Sequence, residues 1–162
     1  MTRLLLVLGA AALIAGCQAK AQPDPDLAAS AAAAQAFMSK NAKAPGVQTL
    51  ASGVQYKVIH AGPATGAHPR VDDAVKVNYE VKLLSGEVID SSFARGEPET
   101  MPLSGLIPAW KEAIPLMRPG DEWMLYVPPA MGYGESGKGP VPPNAVLVFR
   151  IQLLGIEAEN AQ

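Results

Sequence analysis

The sequence predicts an α+β domain in which antiparallel strands fold over one short helix. Three observations predict it. Val75 to Leu83 alternates strictly, with Val75, Val77, Tyr79, Val81 and Leu83 on one face and Lys76, Asn78, Glu80 and Lys82 on the other. Trp123, Leu125 and Val127 alternate in the same way, as do Leu147, Phe149, Ile151 and Leu153. Between these runs, Ile107, Trp110, Ile114 and Met117 recur at helical spacing. Strands with one apolar and one wet face belong to antiparallel sheets, and a helix laid on the apolar face completes a core.

The chain is 162 residues long, 49 % hydrophobic and 17 % charged. That suits one domain with some extra chain and excludes wholesale disorder. A formal charge of −2 supplies no basic face, which excludes a dedicated nucleic-acid partner. One cysteine excludes an internal disulfide or a cysteine-rich zinc site, and two histidines leave little for another metal. No metal and no cofactor are expected.

The first segment is an address. Arg3 precedes an apolar run from Leu4 to Gly16. As a helix that run reaches about 20 Å, short of the ~30 Å hydrocarbon core, so it reads as a signal peptide over residues 1–16. Ile14-Ala15-Gly16-Cys17 resembles a bacterial lipobox, with the only cysteine standing where the apolar run ends. The resemblance implies a mature chain that begins at a lipidated, palmitate-bearing Cys17 and is held at a membrane by that anchor. Gln18 follows in place of the Asp that marks inner-membrane retention, which favours the outer membrane, facing the periplasm or the surface.

Residues 17–51 read as a lipidated tether and an alanine-rich helical linker. Gln18 to Pro25 is polar with two prolines; Asp26 is placed to cap a helix from Leu27 to Lys43, and Pro45-Gly46 stops it. Only Leu27, Phe37 and Met38 are large and apolar there. Two readings stay open: a spacer or weak homodimerisation helix, and a weakly ordered linker. From Ser52 the composition changes, with eight of nine aromatic residues and 12 of 15 prolines beyond it. Gly53 to Ile59 predicts a strand, 61–70 a Gly/Pro-rich loop, Ser85-Gly86 a turn, and Val88 to Ser91 another strand. Pro108 opens the helix and Pro115 ends it, and Pro119-Gly120 turns the chain into the next strand.

Gly132 to Gly139 nearly matches a phosphate-binding loop. It lacks the Ser or Thr after Lys138, and Pro140-Val141-Pro142-Pro143 cannot continue as the required helix. It reads instead as a long, flexible hairpin loop. His60 and His68 read as surface residues, and Asp72-Asp73 and Asp121-Glu122 as turn acids. No nucleophile elbow is present. Tyr79, Trp110, Tyr133 and Phe149 remain, with apolar Ile107 and Val141 and the acid Asp90 in Val88-Ile89-Asp90-Ser91-Ser92. Each ring alone is by default a core residue, and Asp90 alone a turn acceptor.

Together these residues resemble the FKBP-type peptidyl-prolyl isomerases, and the organisation is similar to their bacterial lipoprotein members. The carrying stretches are Ser52-Gly53-Val54-Gln55-Tyr56-Lys57-Val58, Val77-Asn78-Tyr79, Ile89-Asp90-Ser91-Ser92 with Arg95, Ile107-Pro108-Ala109-Trp110, Leu116-Met117-Arg118-Pro119-Gly120, Tyr133-Gly134, and Val141-Pro142-Pro143-Asn144-Ala145-Val146-Leu147-Val148-Phe149. They stand in family order and spacing over the domain assigned to residues 52–158.

The resemblance implies an antiparallel half-barrel sheet wrapped around the helix, with a pocket between them. Trp110 would floor it; Tyr79, Phe149, Ile107 and Val141 would wall it, with Ile89 facing in. Asp90 would lie at the rim, paired with Arg95. Tyr133 and the Ile107 N–H would donate to substrate carbonyls, under the overhanging loop 134–144. Three positions depart from the family: Ile89 for Phe, Glu99 for a rim aromatic, and Ala109 for Gly. The implied activity is prolyl isomerisation of unfolded or partly folded envelope proteins. Ile89 and Glu99 motivate an alternative, a catalytically weak proline-segment chaperone or scaffold. A purely structural lipoprotein is disfavoured by the intact ring set.

Overall fold

The computed structural model describes residues 25–157. The expected leader and Cys17 lie outside the described residues. Seven strands form one antiparallel sheet: β1 (Val47–Thr49), β2 (Gln55–His60), β3 (Ala74–Leu83), β4 (Val88–Ser91), β5 (Glu99–Pro102), β6 (Glu122–Val127) and β7 (Leu147–Glu157). The order is β1-β2-β6-β7-β3-β4, and β5 pairs with β3 as well. The sheet is not closed. Three helices accompany it: α1 (Pro25–Asn41), α2 (Ser92–Arg95) and α3 (Pro108–Ala113).

The alternating runs form β3, β6 and β7 as expected. Val75, Val77, Tyr79 and Val81 are buried along β3, and Leu147, Phe149, Ile151 and Leu153 along β7. These faces pack on Trp110, Ile114 and Met117 of the predicted helical series and on Ala113, while Ile107, the first of that series, is partly buried at the N-cap of α3. Pro108 occupies the first turn of α3. The α-helix stops at Ala113, and Ile114–Leu116 tightens into one 3₁₀ turn around Pro115. Strands β1 and β5 were not expected. They are three and four residues long, with little buried surface, and exist through pairing with β2 and β3.

Asp121 does form a turn, accepting from Arg118 N–H at 2.9 Å, and its other oxygen accepts from Gly62 N–H at 2.6 Å. That bond ties the 61–70 loop to the turn. A Cβ at Gly62 would lie 2.5 Å from Pro119 O, so glycine is required for the approach. Glu122, read as a turn acid, is instead the first residue of β6 and pairs with Arg150 across the sheet.

The alanine-rich segment also differs from its reading. It is an ordered helix, begins at Pro25 and ends at Asn41, and Asp26 lies in its first turn and not ahead of it. It is docked on the domain. Ala34 and Met38 are buried against Val146, with Phe37 and Tyr126 alongside. Polar side chains of the domain supply the rest. Gln55 Nε2 donates to Met38 O at 2.8 Å, and Asn41 Nδ2 donates to Gln55 Oε1 at 2.9 Å. The thin apolar face hid this contact, because carbonyls capped by another segment's amides leave no hydrophobic pattern.

Candidate functional site

The concave face of the sheet and the start of α3 enclose a cleft of about 510 Å³. Trp110, only 3 % exposed, forms its floor. Tyr79 on β3 and Phe149 on β7 meet the indole edge to face, at 5.6 and 5.4 Å between centroids. They share a face because Val81 lies opposite Phe149 in the ladder and Tyr79 stands two residues from Val81. Ile107 precedes α3 and lines the wall; among the described residues its N–H meets no acceptor. Tyr133 comes from the residue just before the 134–144 loop and Val141 from within it.

Ile89 and Asp90 both face this cleft, which regular alternation would forbid. The ladder explains it. Val81 pairs with Asp90 and Lys82 with Val88, so Ile89 is the extra residue of a β-bulge. The bulge turns two successive side chains to one side. Ser92, fully buried, secures the turn into α2 by accepting from Tyr79 N–H at 2.8 Å.

The rim carries a closed polar network. Tyr79 OH donates to Asp90 Oδ2, and Asp90 Oδ1 accepts from Ser91 N–H at 2.8 Å. Arg95 bonds Asp90 with one guanidinium nitrogen and Glu99 with another, and its Cζ lies 5.8 Å from the Tyr79 ring centroid. Burial pushes the Tyr79 hydroxyl up to about 12, and the bond to Asp90 adds to the shift. Burial pulls the Asp90 carboxyl upward too, but the bonds from Tyr79, Arg95 and Ser91 outweigh it and hold it below its usual range. Asp90 is therefore an ionised acceptor held by Tyr79, Ser91 and Arg95, and a poor proton acceptor for substrate. Glu99, at the expected aromatic rim position, holds Arg95 in place.

The 134–144 loop is internally bonded, which the reading as a flexible hairpin did not anticipate. Lys138 and Val141 exchange two backbone hydrogen bonds at 2.9 Å, and Asn144 N–H donates to Gly134 O at 3.0 Å. Lys138 Nζ stands 5.7 Å from the Tyr133 ring centroid.

Residues 66–154 match FKBP-type peptidyl-prolyl cis-trans isomerase, and residues 9–58 match the domain amino-terminal to it. The chain belongs to the FKBP family.

It is 47 % identical over 124 residues to the peptidyl-prolyl cis-trans isomerase Mip of Coxiella burnetii, covering 76 % of this chain and 53 % of that protein. It is 44 % identical over 123 residues to the outer membrane protein MIP of Legionella longbeachae, covering 75 % and 52 %. The crystal structure of a peptidyl-prolyl cis-trans isomerase from Pseudomonas syringae superposes with a TM-score of 0.76 at 31 % identity, covering 84 % of this chain and 99 % of that one. The chain spans about half the length of the curated relatives it matches. The amino-terminal match runs across the boundary expected at residue 16 and includes α1, so the segment read as a linker belongs to a recognised family region.

Of the site residues expected for an FKBP pocket, Tyr79, Ile89, Asp90, Ile107, Trp110, Tyr133, Val141 and Phe149 all line the cleft, and Arg95 reaches its rim through Asp90. Sequence reasoning missed Val81, Met101 and Leu106. Val81 was readable, two residues beyond Tyr79 on the same strand face. Met101 sits on β5 and Leu106 just after the 3₁₀ turn that follows it, where no periodicity exists to follow.

Proposed function

We propose that this chain is a lipid-anchored peptidyl-prolyl cis-trans isomerase that assists folding of proline-containing envelope proteins. The observation that carries the reading is the ring-floored cleft whose one acid already accepts from Tyr79, Ser91 and Arg95. Such a site has no activated nucleophile and no poised base, and this reaction needs neither. Rotation about Xaa–Pro breaks amide resonance at a barrier of ~18–20 kcal/mol without cleaving a bond. The twisted amide is less polarised than the planar one. An apolar, aromatic cleft therefore favours it relative to water. The Ile107 N–H and the Tyr133 hydroxyl would hold the flanking carbonyls and fix a turn. A hundredfold acceleration requires only about 2.7 kcal/mol.

The anchor would be Cys17, after removal of residues 1–16, and the outer membrane its site. The lipobox-like Ile14-Ala15-Gly16-Cys17 supports this, as does the relative named an outer membrane protein. Labelled palmitate should enter the wild-type chain and not Cys17→Ala; equal labelling of both would exclude this anchor.

The activity test is NMR exchange spectroscopy of a short Xaa–Pro peptide with residues 18–162, made without lipid. Accelerated exchange that is lost in Trp110→Ala supports the isomerase. Ile89, an aliphatic wall in place of an aromatic one, favours the chaperone reading as the second choice. Peptide binding without acceleration would establish that reading instead.

A further inference from the structure

Helix α1 and the loop over the cleft meet at Asn144. This residue is 7 % exposed, and its backbone lies at φ +55°. Among the described residues it is the one non-glycine in the left-handed region, which asparagine tolerates better than most. Its N–H closes the neck of the loop on Gly134 O. Its side-chain amide crosses to the other segment: Nδ2 donates to Leu27 O at 3.0 Å and to Ser30 Oγ at 3.1 Å. Leu27 O can only accept, so the nitrogen must face α1. Two residues on, Val146 is buried against Ala34 and Met38 of the same helix. The neck that Asn144 closes begins one residue after Tyr133 and holds Val141 within it, and both residues line the cleft.

We propose that Asn144 is a positioning residue through which the docked helix α1 holds the 134–144 loop over the cleft and so sets substrate capture. The functional part rests on the isomerase reading; the clamp itself does not. A substrate that binds only the placed loop sees an affinity reduced by the fraction of chains in which the loop is displaced. Loosening the neck should therefore raise KM and leave kcat nearly unchanged.

Asn144→Gly separates side chain from backbone. Glycine takes the left-handed conformation without strain, so the variant loses the amide bonds to α1 and adds backbone freedom at the neck, for which Ala34→Asp is the control. Ala34→Asp acts from the other side, placing a carboxylate against buried Met38 and Val146 while leaving residue 144 as asparagine. Both are made in the full chain. Amide hydrogen exchange over residues 135–141 and the KM and kcat for an Xaa–Pro peptide are measured for each. The expected result is a rise in KM of about three- to tenfold with kcat within about twofold, and faster loop exchange, in both variants. Wild-type loop exchange and KM in Asn144→Gly would overturn the proposal. So would a lower melting temperature with KM unmoved, since that is a purely structural role. If the wild type does not accelerate exchange at all, the isomerase reading fails separately. Peptide Kd then replaces KM, and loop exchange still decides the clamp.

Discussion

Replacing Trp110 by phenylalanine should cost little stability and much activity. The indole is buried at 3 % exposure, yet its Nε1 has no hydrogen-bond partner among the described residues. Burying an unmade donor costs about 1–3 kcal/mol. Trp110→Phe removes that cost while keeping a ring against Tyr79 and Phe149. It surrenders roughly 50 Å² of apolar burial, or about 1.3 kcal/mol at 25 cal/mol per Å². The two terms oppose each other, so the variant should lie within about 1.5 kcal/mol of wild type. Trp110→Ala forfeits about 3–5 kcal/mol of packing less the same donor relief, a net loss of about 2 kcal/mol. Turnover of an Xaa–Pro peptide should fall at least about fivefold in Trp110→Phe, equivalent to about 1 kcal/mol of transition-state contact. Trp123 is the internal control. It is buried, its Nε1 is also unpartnered, and it stacks on Tyr56 at 4.4 Å away from the cleft. Trp123→Phe should change stability as little and leave turnover alone. Urea unfolding at constant m-value gives the stabilities. A loss above about 3 kcal/mol in Trp110→Phe would refute the orphan-donor argument. An equal fall in turnover in Trp123→Phe would refute the floor assignment.

Four further outcomes follow from the same geometry. Tyr133→Phe should lower turnover with an unchanged melting temperature; unchanged turnover would remove its hydroxyl from the reaction. Gly137→Ala should displace the loop, because Gly137 lies at φ +66° and an added Cβ would stand 2.2 Å from Val141 O; a stability loss of about 1–3 kcal/mol and weaker peptide binding are expected, read by urea unfolding and titration. Turnover should be flat between about pH 6 and 8, since no proton is transferred, Asp90 is held low and Tyr79 titrates near 12. A histidine-like limb would contradict this. Stability should respond outside that window. The depressed Asp90 pKa contributes stability above its unfolded value near 3.9, and this is lost as pH falls through the folded pKa. The raised Tyr79 pKa contributes below about 10, and its share is lost as pH rises toward about 12. Asp90→Asn should flatten the acid side of a stability–pH curve.

Much of the fold was legible because its central strands are half-buried. Val75 to Leu83 and Leu147 to Leu153 must present one face to the core, and period two in the side chains records that requirement directly. The rings of the cleft were legible as residues, and as a set through the resemblance to the FKBP family. The fold class and the ring inventory are thus properties of the sequence itself. Tertiary structure decided what the local pattern could not carry. A bulge at Ile89 puts two successive residues in one cleft, against the alternation from which a strand is read. Glu99 turns from a missing aromatic into the second anchor of Arg95 only when β5 pairs with β3. Helix α1 docks through carbonyls that Gln55 and Asn144 cap from the other segment, 17 and 117 residues away along the chain. Hydrogen bonds to backbone oxygen leave no mark on composition or hydrophobic period, because every residue offers the same carbonyl. The seat of that helix, and with it the neck of the loop over the cleft, is written only in three dimensions.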